Sequence, residues 1–126
     1  MIYRKILLID DDDDDQEIFL TALQKVLPEV VCDMSGSACS AIELLKSGQL
    51  FPDIIFLDLN MPIMNGQQFL SEIKKNAGLK DIPVVVISTS SHPQTIQLAK
   101  NTGAKDFITK PDKFDDLVNI LAALLA

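Results

Sequence analysis

Lys5-Ile6-Leu7-Leu8-Ile9-Asp10-Asp11 joins an unbroken run of branched apolar residues to two carboxylates. A run of that length reads as a strand buried on both faces, the kind found inside a parallel sheet covered by helices. The pattern recurs downstream: Ile54-Ile55-Phe56-Leu57 ends at Asp58, and Phe107-Ile108-Thr109 delivers Lys110-Pro111. In an open parallel sheet ligands bind beyond the carboxyl ends of the strands, so such endings converge on one edge although they lie far apart in sequence. Three acids facing one lysine there make a metal and phosphoryl site.

Outward from this stretch, short branched runs alternate with longer helical periodicities, as expected of a parallel sheet with helices on both faces. The expected strands are Lys5 to Ile9, Val30 to Met34, Asp53 to Leu57, Pro83 to Ser88 and Lys105 to Thr109. The first, third and fourth are the most continuously apolar and should be central, with the second and fifth at the edges. Asp14 to Leu27 repeats Phe19, Ala22, Leu23 and Val26 on one helical face, and Phe114 to Leu125 repeats Leu117, Val118, Leu121 and Leu124. Ser37 to Lys46, Gly66 to Asn76 and Pro93 to Thr102 complete five helices, with Gly48, Gly78 and Gly103 near their expected ends.

A chain of 126 residues is about one domain long, so residues 1–126 are expected to form a single unit without an output domain. With 18 acidic and 11 basic residues the formal charge is -7, which opposes binding to nucleic acid or to anionic membranes. Apolar stretches are of strand length, and no signal-peptide pattern follows Met1, so a cytoplasmic location is expected. Cys32 and Cys39 lack the paired spacing of a zinc or redox motif and read as reduced, structurally neutral thiols.

The acidic run Asp10 to Asp15 divides in two. Asp12 to Asp15 suit a helix N-terminus, where carboxylates satisfy free backbone N–H groups and the macrodipole. Asp10 and Asp11 sit at the strand's end instead. Carboxylates packed together repel one another, and a hard divalent cation relieves that repulsion. Magnesium is the natural candidate, because it takes oxygen ligands and keeps waters and a phosphate oxygen in its shell. Asp11, Asp58 and the main chain at Asn60 are the expected ligands.

Asp58 opens Asp58-Leu59-Asn60-Met61-Pro62-Ile63-Met64-Asn65-Gly66, where Pro62 and Gly66 impose a loop between strand and helix. A carboxylate presented beside a metal can act as a nucleophile. Attack on a phosphoryl group gives an acyl phosphate, with metal and lysine neutralising charge on the transferring oxygens. Ser88, ending the fourth strand, is placed to hydrogen-bond that group. Met61 and Met64 flank Pro62 as loop filler or an adaptable partner contact, and His92, alone before Pro93, is assigned no catalysis.

Together these residues resemble the receiver domains of bacterial two-component response regulators. Asp10-Asp11 after the first strand, Asp58 in its Pro-containing loop, Ser88 after Pro83-Val84-Val85-Val86-Ile87, and Lys110-Pro111 stand in that family's order and at its intervals. The resemblance covers essentially the whole chain. It implies a flavodoxin-like (βα)5 sandwich, α/β in class, with sheet order 2-1-3-4-5. It also implies Asp58 as phosphoacceptor, Asp11 as a direct Mg2+ ligand, Asp10 as an acid binding the metal through water, and Asn60 as a carbonyl ligand. Ser88 and Lys110 would contact the phosphoryl group.

The implied donor is a phosphohistidine on a sensor histidine kinase or phosphotransfer protein, with an unidentified downstream protein target. In the family the hydroxyl residue moves towards the phosphoryl group, and an aromatic residue on the fifth strand turns inward; here those positions are Ser88 and Phe107. Phe107 lacks the hydroxyl of the tyrosine often found there. Asn65 and Asp112-Lys113 are smaller departures, and Asn60 and Ser90 match positions that tune phosphoryl lifetime. The face formed by Pro93 to Thr102, Lys105 and the last helix corresponds to the family's common signalling surface.

The expected function is thus a phosphorylation-switched signalling protein, not an enzyme beyond its own phosphoryl transfer and dephosphorylation. The alternative is a receiver-shaped binding module that works without phosphorylation, which typically lacks one of the acids or the lysine retained here. A phosphatase or dehalogenase with an aspartate nucleophile is excluded, because Asn60 stands where a second acid is needed and the chain has no length for a cap domain.

Overall fold

In the computed structural model, which describes residues 3–61 and 63–125, the alternation folds as five strand–helix pairs. The strands are β1 (Lys5–Ile9), β2 (Val31–Ser35), β3 (Ile54–Leu57), β4 (Val84–Ser88) and β5 (Asp106–Thr109). The helices are α1 (Asp13–Val26), α2 (Ala38–Lys46), α3 (Gly66–Lys75), α4 (Pro93–Thr102) and α5 (Phe114–Leu125). All strand pairs are parallel, in the order β2-β1-β3-β4-β5. The three most apolar strands are central and β2 and β5 form the edges, so the flavodoxin-like expectation holds.

Side chains of a strand alternate between faces, and β1 splits its apolar run accordingly. Ile6 and Leu8 join Phe56, Val85 and Ile87 under α1 and α5, where Phe19, Leu23, Leu117 and Leu121 close the layer. The Phe19 and Phe56 rings meet at 5.0 Å between centroids. Leu7 and Ile9 turn the other way, joining Ile55, Leu57 and Val86 against Phe69, Ile73 and Ala99 of α3 and α4. Val118 and Leu124, expected on the inner face of α5, are only half-buried, while Leu125 is fully within the layer.

The strand limits shift for local reasons. Pro83 has no N–H to give a ladder, although its carbonyl accepts from Ile55, and β4 begins at Val84. The Val30 N–H turns back to the Leu27 carbonyl, so β2 begins one residue later than expected and runs on to Ser35. Asp53 and Lys105 likewise fall just outside β3 and β5. Asp12 is the cap of α1, accepting from the Asp14 and Asp15 N–H groups, which moves the helix start to Asp13. Ser37 and Asn65 cap α2 and α3 in the same manner. Gly103 ends α4 in the left-handed region at φ 117, whereas Gly78 lies in the turn after α3 and terminates nothing.

Candidate functional site

Parallel strands deliver their last residues to a common edge, and there the structure brings Asp10, Asp11, Asp58 and Lys110 together. Register accounts for it: Ile9 pairs with Leu57, and the Asp58 N–H donates to the Ile9 carbonyl at 2.9 Å, so Asp10 and Asp58 leave adjacent strands side by side. On the other flank Ser88 pairs with Thr109, and the Lys110 N–H donates to the Ser88 carbonyl at 2.7 Å.

Asp10, Asp11 and Asp58 each present a carboxylate oxygen within 4.8 Å of the others. Asp10 and Asp58 are buried, at 2% and 5% exposure, while Asp11 is exposed at the mouth. Burial pushes both the Asp10 and Asp58 carboxyls above the ordinary 3.8, against the opposing pull of one backbone N–H each and of the Lys110 charge. Those N–H donors come from Asp12 to Asp10 at 3.0 Å and from Asn60 to Asp58 at 3.2 Å. Hard oxygens held this close, with the ionised forms of Asp10 and Asp58 disfavoured by burial, fit a small divalent cation. Among the described residues no other such cluster of possible ligands occurs.

Lys110 supplies the positive charge. Its Nζ lies 2.9 Å from Asp15, 3.2 Å from Asp10 and 3.8 Å from Asp58. Burial by itself lowers the lysine's pKa, but the Asp15 hydrogen bond and the charges of Asp58 and Asp10 outweigh it and hold the group above its ordinary value. The Asp15 contact is absent from the sequence reading, which assigned Asp12 to Asp15 together to capping. Position three beyond the Asp12 cap suggests only another capping role, a bond back to the cap's own N–H, so nothing local in the sequence points to Lys110. Gln16 adds a further tie, its side-chain amide donating to the Asp10 carbonyl at 2.6 Å.

Ser88 is fully buried at the end of β4, its hydroxyl oxygen accepting from the Ser90 N–H at 3.2 Å. Phe107 is half-buried and packs with the α3–α4 layer. Asn60 is exposed beside Asp58, Met61 is a core residue, and Met64 packs partly against the core. Pro62 lies outside the described residues. Ile63 stands in the left-handed region at φ 67, costly for a branched residue, and is 94% exposed. His92 is exposed and makes no capping bond. Both cysteines are free; burial, then the charge of Asp33, pushes the Cys32 thiol up to about 11, so it stays protonated and unreactive at neutral pH.

Gly66 fixes the acceptor loop by close approach. A Cβ there would collide with the Asp58 carbonyl oxygen and lie 2.6 Å from the Leu59 Cα, both main-chain atoms that cannot rotate away. Gly66→Ala is therefore expected to lower stability by about 2 kcal/mol. Urea unfolding checks this, and trimming Leu59 to Ala should give only a small rescue, because it removes the Leu59 Cδ2 contact at 2.9 Å and leaves both backbone collisions.

The family model described as the response regulator receiver domain matches residues 6–122, and the chain belongs to that family. The probable C4-dicarboxylate response regulator DctR of Bacillus subtilis (strain 168) is 35% identical over 114 residues, covering 88% of this chain and 47% of DctR. The transcriptional regulatory protein KdpE of Staphylococcus aureus is 44% identical over 66 residues, 52% of this chain and 27% of that protein. The chain thus spans half or less of the length of these relatives.

Among solved structures, the phosphorylated cyanobacterial phytochrome response regulator RcpA superposes with a TM-score of 0.88 at 30% identity, covering 97% of this chain and 91% of that one. The Mn(2+)-bound response regulator Rcp1 gives 0.86 at 27% identity, with 96% and 91% covered. Receiver domains are signalling modules of two-component systems, and they bind Mg2+ at an acidic pocket of this kind. No helix among the described residues is long and apolar enough to cross a membrane.

Proposed function

We propose that the chain is a phosphorylation switch in which Asp58 accepts a phosphoryl group from a phosphohistidine on a sensor histidine kinase or phosphotransfer protein. The observation that carries this reading is the convergence of Asp10, Asp11 and Lys110 on the buried Asp58 carboxylate. An Asp58 oxygen attacks phosphorus, the bond from phosphorus to the donor imidazole nitrogen breaks, and an acyl phosphate and a free histidine result. Magnesium, when bound through Asp11, Asp58, the Asn60 carbonyl and a water held by Asp10, supplies positive charge to the oxygens of the transferring group.

Lys110 carries the second positive charge, and the Ser88 hydroxyl donates to a phosphoryl oxygen once it leaves its present orientation. That hydroxyl's movement vacates space for Phe107, and the altered surface passes the signal on through protein–protein contacts. Intact-protein mass after incubation with acetyl phosphate tests the reading. One labile phosphoryl with magnesium, and none with a chelator, is the expected result. No adduct with either acetyl phosphate or a phosphorylated kinase, with magnesium binding demonstrated, would leave a binding module that works without phosphorylation.

A further inference from the structure

The charges of this acidic protein are sorted by end. A parallel strand–helix fold gathers strand finishes and helix N-termini at one end of the molecule, and strand starts and helix C-termini at the other. The finish end, which holds Asp58, carries eleven of the 18 acids, Asp10 to Asp15 among them, with Lys110 and Lys113 as its basic residues. The start end carries the other nine of the 11 basic residues, against Glu29, Glu43, Asp53, Glu72, Asp81 and Asp106, with Glu72 paired to Lys46 at 3.7 Å.

Helix macrodipoles account for part of this, since Lys25, Lys46, Lys75 and Lys100 stand in last turns. They do not account for Arg4, Lys5, Lys80 and Lys105, which precede or open strands or lie in a loop. All four are exposed, and among the described residues none has a carboxylate within ion-pair distance. Asp53 is beside two of them, yet its carboxylate accepts from the Arg4 and Lys5 backbone N–H groups, at 2.8 and 3.0 Å. The same end exposes Phe51 by 69% and Val31 by 53%.

We propose that this start end is a docking face for an acidic protein partner, distinct from the end at which the phosphoryl group arrives. Cations without a carboxylate partner at the same end as exposed apolar side chains, with Arg4 and Lys5 directly beside Val31, match the anatomy of a protein interface, in which apolar anchors are accompanied by charge that selects and steers the partner. The six interspersed acids break the continuous positive track that a phosphate backbone or anionic bilayer requires. A second copy could offer only its acid-rich Asp58 end, a head-to-tail contact that would cover the site at which the phosphoryl group arrives, which opposes a second copy as the occupant. Because the face lies opposite Asp58, this partner and a phosphodonor can be held together.

The test is fluorescence anisotropy of a labelled glutamate peptide with one central leucine, in low salt and in physiological salt. The wild-type chain should bind, and salt should weaken the binding. Joint substitution Arg4→Glu, Lys5→Glu, Lys80→Glu should weaken it roughly ten-fold or more, with the corresponding Gln variants intermediate, while Lys113→Glu at the opposite end changes little. Thermal melts confirm that each variant folds. Absence of wild-type binding in low salt, or equal binding by the triple variant, overturns the proposal. So does tighter binding of duplex DNA or anionic vesicles, or salt-sensitive self-association abolished by the same triple variant.

Discussion

Asp58→Asn is expected to abolish phosphoryl acceptance and to make the metal-free protein more stable at neutral pH, two effects of opposite sense from one substitution. The chemical loss is complete because an amide oxygen is no nucleophile for phosphorus at neutral pH. The gain in stability follows from burial, which raises the Asp58 carboxyl above its ordinary 3.8, with the Asp10 and Asp11 charges acting in the same direction. A folded chain that binds this proton more tightly than the unfolded chain has an advantage that is full below the unfolded value and is lost as pH rises through the folded one. At neutral pH the ionised carboxylate therefore weakens the metal-free fold, and Asn removes that penalty.

The expected gain is on the order of 1 kcal/mol, in the range usual for relieving a strained functional site. It should shrink towards zero as pH falls below about 4. Saturating magnesium should narrow or reverse the gap, since it binds the wild-type native state more tightly. Urea unfolding of both proteins at acid and neutral pH, with magnesium or chelator, reads all three signs. A gap that widens on acidification would rule out a penalty from the ionised carboxylate.

The sheet was legible because a parallel sheet buried on both faces needs continuous apolar runs, and Ile6 to Ile9, Ile54 to Leu57 and Val84 to Ile87 advertise it without help from context. Their endings were legible for the same reason: Asp10, Asp58, Ser88 and Lys110 each follow an apolar run, so topology alone gathers them. What remained hidden depends on contacts between elements. Asp15 looks identical to its capping neighbours in a run of six aspartates, and only the approach of Lys110 from β5 gives it a different partner. Gly66 read as a loop former, whereas its requirement is main-chain proximity to Asp58 and Leu59.

The sorting of charge by end was equally invisible to net composition. A formal charge of -7 suggests a uniformly acidic surface, but helix C-termini and strand starts lie on one side in a parallel fold, and their lysines accumulate there. Exclusions drawn from whole-chain charge therefore apply to the Asp58 end more strongly than to the opposite one.

Lys110→Ala should slow phosphoryl transfer to Asp58 by roughly a hundred- to a thousand-fold, the usual cost of losing one preorganised group at a developing charge. The same substitution should tighten magnesium binding, because a cation 3.2 Å from Asp10 and 3.8 Å from Asp58 repels the metal those carboxylates attract. Opposite changes in the two readouts separate a local electrostatic role from general damage to the site, which would weaken both. Lys110→Arg keeps the charge, but its planar fork cannot reproduce a compact ammonium shared among Asp10, Asp15 and Asp58, so it should recover only part of the rate. Asp10 and Asp58 would each lose the charge that offsets their burial, so the Lys110→Ala fold should gain more from added magnesium than the wild type does. Single-turnover transfer from a phosphorylated kinase gives the rate, and calorimetric titration with magnesium gives the affinity. A rate within a few-fold of wild type, or weaker magnesium binding, would remove Lys110 from the transfer step and leave it a structural counter-ion to Asp15 and Asp10.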